Sequence, residues 1–432
     1  MFRLCFLLLT LVLSFHSNAQ RFLTDLMDTS NKKNDIFPIE NQNDKLRFGG
    51  YMQPQYQVAS SKGASSFSGG DFSPNSNNRF MLRRGRIRLD YAHFNDENQP
   101  QAYFVFQFDG TERGVAIRDF WGRFYENKWQ LFALTTGVFA RPMGFEVNLS
   151  SSEREAPERG RMSQILMKTE RDIGAMLTLE PRKKNSSLKW LKVDLGVFNG
   201  QGLAGTTDFD SYKDIIGRVS IKPRKITSSG WTLAAGASIL YGGIVSRSPE
   251  IYRTGNDGLF YRDSTAKNLD GVAPRHYYGA DMQLKIPNKR GYTEFRAEYI
   301  RGSQTAVSST SETPGVYPVS NGTPVPLYVR SFDGAYFCFL QNLWSKRHIL
   351  ILKYDWYNPN TAVSGRNISV EKGFSQADIR YNTYGFGYLY HLNPHVKLVL
   401  YYDYIVNEKT SIKNFEQDIE DNVFTCRLQF RF

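Results

Sequence analysis

The last nine residues of the chain, Phe424-Thr425-Cys426-Arg427-Leu428-Gln429-Phe430-Arg431-Phe432, alternate strictly in character. Phe424, Cys426, Leu428, Phe430 and Phe432 are apolar, and the four residues between them are polar or charged. Successive side chains of a strand point to opposite faces, so this segment has one oily face and one wet, charged face. The pattern recurs upstream. Leu191, Val193, Leu195 and Val197 oppose Lys192 and Asp194, and Ala280, Met282, Leu284 and Ile286 oppose Asp281, Gln283 and Lys285. Leu350, Leu352, Tyr354 and Trp356 oppose Lys353 and Asp355. Runs of this kind predict sixteen strands, near 46–58, 79–93, 101–109, 117–125, 129–139, 172–180, 189–198, 214–222, 231–241, 276–286, 292–302, 332–342, 347–357, 381–391, 395–406 and 421–432.

The connections decide what the strands build. Short links (126–128, 287–291, 343–346, 392–394) alternate with long ones (59–78, 140–171, 242–275, 302–331, 358–380). An all-β, sixteen-stranded antiparallel transmembrane β-barrel has short periplasmic turns at one end and long extracellular loops at the other. Closure leaves no bare sheet edge, which lipid could not hydrogen-bond. Tyr51, Tyr91, Phe124, Tyr125, Tyr241, Tyr401, Tyr402 and Tyr404 crowd the strand ends and are expected in interfacial girdles. An alternating strand that ends on Phe432 also fits the assembly signal of outer-membrane barrels.

Composition agrees. No stretch after residue 19 approaches the roughly 18 apolar residues of a spanning helix, and 25 Tyr with 31 Phe exclude a chain that buries nothing. Residues 1–19 read as a secretory signal: Arg3, a short apolar core over 4–15, and Ser17-Asn18-Ala19 before the cut. Residues 20–45 form a polar segment without period, and 46–432 the barrel. Cleavage leaves 53 Lys+Arg against 42 Asp+Glu, a net +11, and two cysteines, Cys338 and Cys426, too few for a disulfide scaffold.

A barrel of this size is expected to enclose an aqueous channel, so function rests on the inward charges. Phe80 and Leu82 share parity with Arg84, Arg86 and Arg88, opposite Ile87, Leu89 and Tyr91. Arginines facing mid-bilayer lipid would each cost roughly 2–4 kcal/mol, so the three should face water as a ladder that attracts anions, or as wall arginines paired with Asp109 or Asp119. Arg83 has the wrong parity and is expected at the outer rim or beside a bulge. The loop 140–171 carries Arg141, Arg154, Arg159, Arg161, Lys168 and Arg171 against Glu146, Glu153, Glu155, Glu158 and Glu170, a nearly balanced set.

Several runs in order resemble the phosphate-selective porin O/P family: Gly50-Tyr51-Met52-Gln53, residues 80–89, Phe106-Gln107-Phe108-Asp109, Arg118-Asp119, residues 137–146, Arg171-Asp172-Ile173-Gly174 and Gly196-Val197-Phe198-Asn199-Gly200. The resemblance spans the first half of the chain, and the second half matches in rhythm. It implies an exported outer-membrane porin, a homotrimer that passes small phosphate-like anions. By position Arg84, Arg86 and Arg88 look like wall arginines, and Arg141 looks like the basic residue entering a constriction loop. The balanced loop departs from the lysine excess of a phosphate specialist. Arg84, Arg86, Arg88, Arg141, Arg154, Arg159, Arg161 and Arg171 are thus the candidate pore-lining, anion-binding residues.

Two other classes compete. A barrel enzyme would need catalytic or metal-binding groups, yet His93, His276, His348, His391 and His395 are isolated and no catalytic or cofactor-cradling motif appears. A secreted, soluble β-protein that binds glycans would use its aromatics in a groove. Nucleic acid is disfavoured, because Arg and Lys are spread over many turns.

Overall fold

The structure, a computed structural model, describes residues 39–40, 43–204, 207–255 and 257–432. The proposed signal segment and nearly all of 20–45 lie outside the described residues. Sixteen barrel strands follow in order. They are β1 (Asp44–Ala59), β2 (Asn78–Phe94), β3 (Pro100–Thr111), β4 (Gly114–Tyr125), β5 (Phe132–Ala140), β6 (Arg171–Leu179), β7 (Leu191–Phe198) and β8 (Asp214–Lys225). The second half contributes β9 (Thr232–Val245), β10 (Val272–Asn288), β11 (Gly291–Ala306), β12 (Leu327–Asn342), β13 (His348–Asn358), β14 (Tyr381–His391), β15 (Val396–Asn407) and β16 (Val423–Arg431). Each pairs antiparallel with the next, and β16 returns to β1 with Thr425 opposite Gln57 and Arg431 opposite Tyr51. The barrel is closed.

Its two faces are inverted relative to a soluble protein. Arg427 is 2% exposed while its neighbour on the outer face, Phe424, is 38% exposed. On β7, Lys192 and Asp194 are buried, and Leu195 and Val197 are exposed. An apolar outer surface of this extent is stable only against acyl chains. Phe386, at the middle of β14 and exposed, marks that band. Phe386→Arg should destabilise the barrel by roughly 2–4 kcal/mol, read as a lower urea midpoint in lipid vesicles. An unchanged midpoint would mean that this wall does not meet lipid.

The ends differ as the rhythm of links predicts. One end is closed by short connections between β2–β3, β4–β5, β8–β9, β10–β11, β12–β13 and β14–β15, and by residues 180–190. Trp129, Trp190, Trp231 and Trp344 all sit in these turns, at the level where amphipathic rings prefer an interface. The other end carries the long loops, except that β3 and β4 are joined tightly through Glu112-Arg113, with Gly114 at φ +138°. Loop residues 251–254 and 260–263 form a hairpin that extends the wall beside β12.

Parity readings fail where the register slips, and some expected girdle residues and boundaries move. A bulge between Met52 and Pro54 of β1, opposite Gly85 and Leu82 of β2, inserts an extra residue. Alternation therefore resets: Arg84 and Arg86 point inward, Arg83 joins them, and Phe80 turns outward at 85% exposure instead of sharing their face. Of the expected girdle aromatics, Tyr51, Tyr125 and Tyr401 are buried inside, whereas Phe124, Tyr241, Tyr402 and Tyr404 are exposed outside. The start of β5 also moves to Phe132, because Gln130 takes a turn conformation at φ +57°.

The loop after β5, expected as a constriction, takes up much of the interior. Residues 141–170, including the helix α1 (Arg161–Leu166), fold into the lumen. Met143, Val147, Met162, Ile165, Leu166 and Met167 pack there against inward-facing Phe198, Ile216, Leu240, Tyr277, Ile300, Phe332 and Tyr357. Part of the barrel is thus filled by a dry plug, and any aqueous path is confined to what remains. Cys338 is buried, Cys426 is half-buried, and both are free thiols.

Candidate functional site

The inward loop is held by its acids. Glu146 pairs with Lys353, and Glu153 with Arg431 at 2.6 Å. Glu155 pairs with Arg296 at 2.7 Å. Glu158 receives Arg84 at 2.7 Å, Arg427 at 2.7 Å and Arg83 at 3.0 Å. Glu170 takes Arg118 at 3.0 Å and Arg159. Lys397 donates to the carbonyls of Ser152 and Arg154, and Arg427 to that of Pro157. Near-equal loop charge is therefore a set of staples, each acid meeting a guanidinium or, for Glu146, the Lys353 ammonium of the wall.

The approach is close. Gly144 lies at φ +68°, where a Cβ would collide with the Glu298 carboxylate that accepts the Glu146 N–H at 2.8 Å. On this loop, outside the spanning strands, burial would raise the Glu158 and Glu170 carboxyls. The guanidiniums around them overcome it and hold both well below the ordinary carboxylate range. Depressed carboxylates contribute stability above their unfolded pKa and lose it only as pH falls through the folded value. Single-channel conductance is accordingly expected to stay constant from pH 8 to pH 5, and a conductance step in that window would contradict the staples.

Most of the staples draw the loop toward β11, β13, β15, β16 and the Arg83-Arg84 stretch of β2, and open space remains along the rest of the wall. It is a cavity of about 320 Å³ between the loop, β1–β10 and the end of β16, reaching toward the turn end. Ten of its lining residues are basic (Arg47, Arg86, Arg88, Arg118, Arg123, Arg159, Arg171, Lys192, Arg218, Arg431) and four are acidic (Asp90, Asp119, Glu153, Asp194).

The candidate arginines divide. Arg86, Arg88, Arg159 and Arg171 line the cavity. Arg86 lies 2.9 Å from Asp109, Arg88 2.7 Å from Asp90, and Arg171 3.1 Å from Asp119, so the ladder is paired as well as inward. Arg84, Arg141, Arg154 and Arg161 do not line it. Arg84 sits on Glu158 beneath the loop. Arg141 is buried at the loop entrance, bonded to the Thr169 and Gly200 carbonyls and 3.9 Å from Asp172. Arg154 donates to the Ala156 and Pro157 carbonyls. Arg161 lies between the rings of Tyr381 and Phe67, at 3.6 and 4.5 Å from their centroids.

Sequence reading missed Arg47, Arg118, Arg123, Lys192, Arg218 and Arg431. Inward parity on each strand could have found most of them. Arg118 is harder, since the β4 register slips between Asp119 and Ile117.

The positive excess is not on the long loops. Leaving out the inward loop, the segments at that end hold 12 Lys+Arg and 16 Asp+Glu, whereas the turns of the other end hold nine and four. The cationic character belongs to the lumen and the turn end.

Comparison with known proteins places this geometry. No protein-family model matches the chain, and no curated protein matches it in sequence. Solved structures do match. OprB of Pseudomonas putida aligns over 90% of this chain and 94% of its own, with TM-score 0.55 and 9% identity. The outer membrane channel DcaP of Acinetobacter baumannii aligns over 92% and 100%, with TM-score 0.53 and 11% identity. An anion-selective porin from Comamonas acidovorans aligns over 90% and 100%, with TM-score 0.51 and 9% identity. The chain has the porin fold. At these identities the likeness is of architecture, and within the porin fold the residues of this lumen are the chain's own.

Proposed function

We propose that this protein is an exported outer-membrane porin through which small hydrophilic solutes diffuse passively, with a bias toward anions and phosphate among them. One observation carries the reading: the space left by the stapled loop has ten cationic and four anionic side chains on its wall. Arg86, Arg88, Arg159 and Arg171, with Arg118, Arg123, Lys192 and Arg218, draw anions there. Arg84, Arg141, Arg154 and Arg161 fix the loop. The planar guanidinium fork suits phosphate oxygens.

The apolar outer wall favours lipid as its surroundings, and the likeness to OmpT of Vibrio cholerae in its trimer form, at TM-score 0.50 and 10% identity, supports a homotrimer. We read no catalytic role into the lumen. Proteoliposome swelling tests the reading. Vesicles bearing the protein should swell in isosmotic sodium phosphate and in small neutral sugars. A sodium phosphate gradient across a planar bilayer should give a zero-current potential whose sign reports the anion as the more permeant ion. Vesicles that swell no faster than protein-free ones would remove the porin.

A further inference from the structure

Among the cavity's cations, Arg123 is set apart by what surrounds it. Arg86, Arg88, Arg118 and Arg171 each have a carboxylate within ion-pair distance. Arg123 is 5% exposed, and among the described residues no carboxylate lies within 4.0 Å of it. Its Nε donates to Thr135 Oγ1 at 2.7 Å. The nearby Asp194 is committed to Lys192 at 2.9 Å and Thr178 at 2.7 Å. A guanidinium desolvated this far is costly without a counter-charge.

Its other neighbours are rings. Trp121, two residues earlier on the same inward face of β4, has its ring 5.5 Å from the Arg123 guanidinium. The Tyr103 ring of β3 lies 5.6 Å from that of Trp121, and all three residues line the cavity. Trp121 is only partly buried. Passage of ions the size of chloride gains nothing from large apolar rings held against water, which is unfavourable in itself.

We propose that Arg123, Trp121 and Tyr103 form a subsite for anions with a planar aromatic body, of which benzoate is the simplest probe. The carboxylate pairs with the Arg123 guanidinium while the ring lies against Trp121 and Tyr103. This deepens the reading of the lumen as an anion path and rests on that path for its physiological meaning, though binding itself is measurable without conduction.

The test is a ligand-observed NMR titration of the folded, full-length mature chain in detergent with benzoate, cyclohexanecarboxylate and benzamide. Benzoate is expected to bind roughly three- to ten-fold tighter than cyclohexanecarboxylate, the range of aromatic pairing, and tighter than uncharged benzamide. Trp121→Leu should abolish the first difference, and Arg123→Gln the second. The wild-type series alone decides the matter if either variant fails to fold. Equal affinity for benzoate and cyclohexanecarboxylate overturns the subsite. A protein that conducts anions without this discrimination refutes the inference and leaves the porin standing. One that discriminates without conducting upholds the subsite and refutes the porin.

Discussion

Glu158→Gln is expected to loosen the inward loop and to raise single-channel conductance, with noisy transitions in place of a steady level. Glu158 is the common partner of Arg83, Arg84 and Arg427, which belong to β2 and to β16. Glutamine keeps the shape and removes the charge, so two buried guanidiniums, Arg84 and Arg427, and the half-buried Arg83 lose their counter-ion together. Removing one member of a buried ion pair costs about 3–5 kcal/mol, and here the loss falls on the docked state of the loop. The dry cluster around Met143 and Met162 opposes release, so the expected state is partial undocking. Planar-bilayer recordings check it, and traces identical to wild type would mean that the apolar plug alone fixes the constriction.

The second large effect concerns selectivity. Replacing Arg86, Arg88 and Arg118 together by Ala should lower the anion/cation permeability ratio several-fold at 0.1 M salt. All three face the cavity, and their partners Asp109, Asp90 and Glu170 stay behind, so the wall loses positive charge and uncovers negative charge. A unit charge at contact distance in water is worth about 1 kcal/mol. Screening shortens its reach from about 10 Å at 0.1 M to about 3 Å at 1 M, and the difference between variant and wild type should shrink accordingly. A ratio unchanged at low salt would show that these guanidiniums only brace the wall. Migration of the unheated protein on a denaturing gel confirms that the barrel has formed.

Much of this architecture is legible in the chain because a membrane barrel writes its two faces in alternate residues. The strand Tyr381–His391 coincides with its predicted run, and β16 presents Arg427 and Phe424 to opposite sides as Phe424–Phe432 requires. What strict alternation cannot convey is a slip in register. The bulge opposite Gly85 moved Phe80 outward and brought Arg83 inward, although Arg83's odd parity had hinted at it.

The site was less legible, and the reason is tertiary. The five loop glutamates look like neutralising charges along the chain, yet each meets a basic wall residue distant in sequence, as Glu155 meets Arg296. That pairing decides which side of the lumen stays open. It also decides why Arg84, in the most conspicuous arginine run, lies beneath the loop while Arg123 and Arg218, from unremarkable strands, line the cavity.

The zero-current potential of the wild-type protein in a planar bilayer, under a tenfold gradient of potassium chloride, bears most directly on the central assertion. A lumen bounded by this wall predicts a potential whose sign reports chloride as the more permeant ion. A potential of the opposite sign, or a bilayer that carries no current, would contradict it.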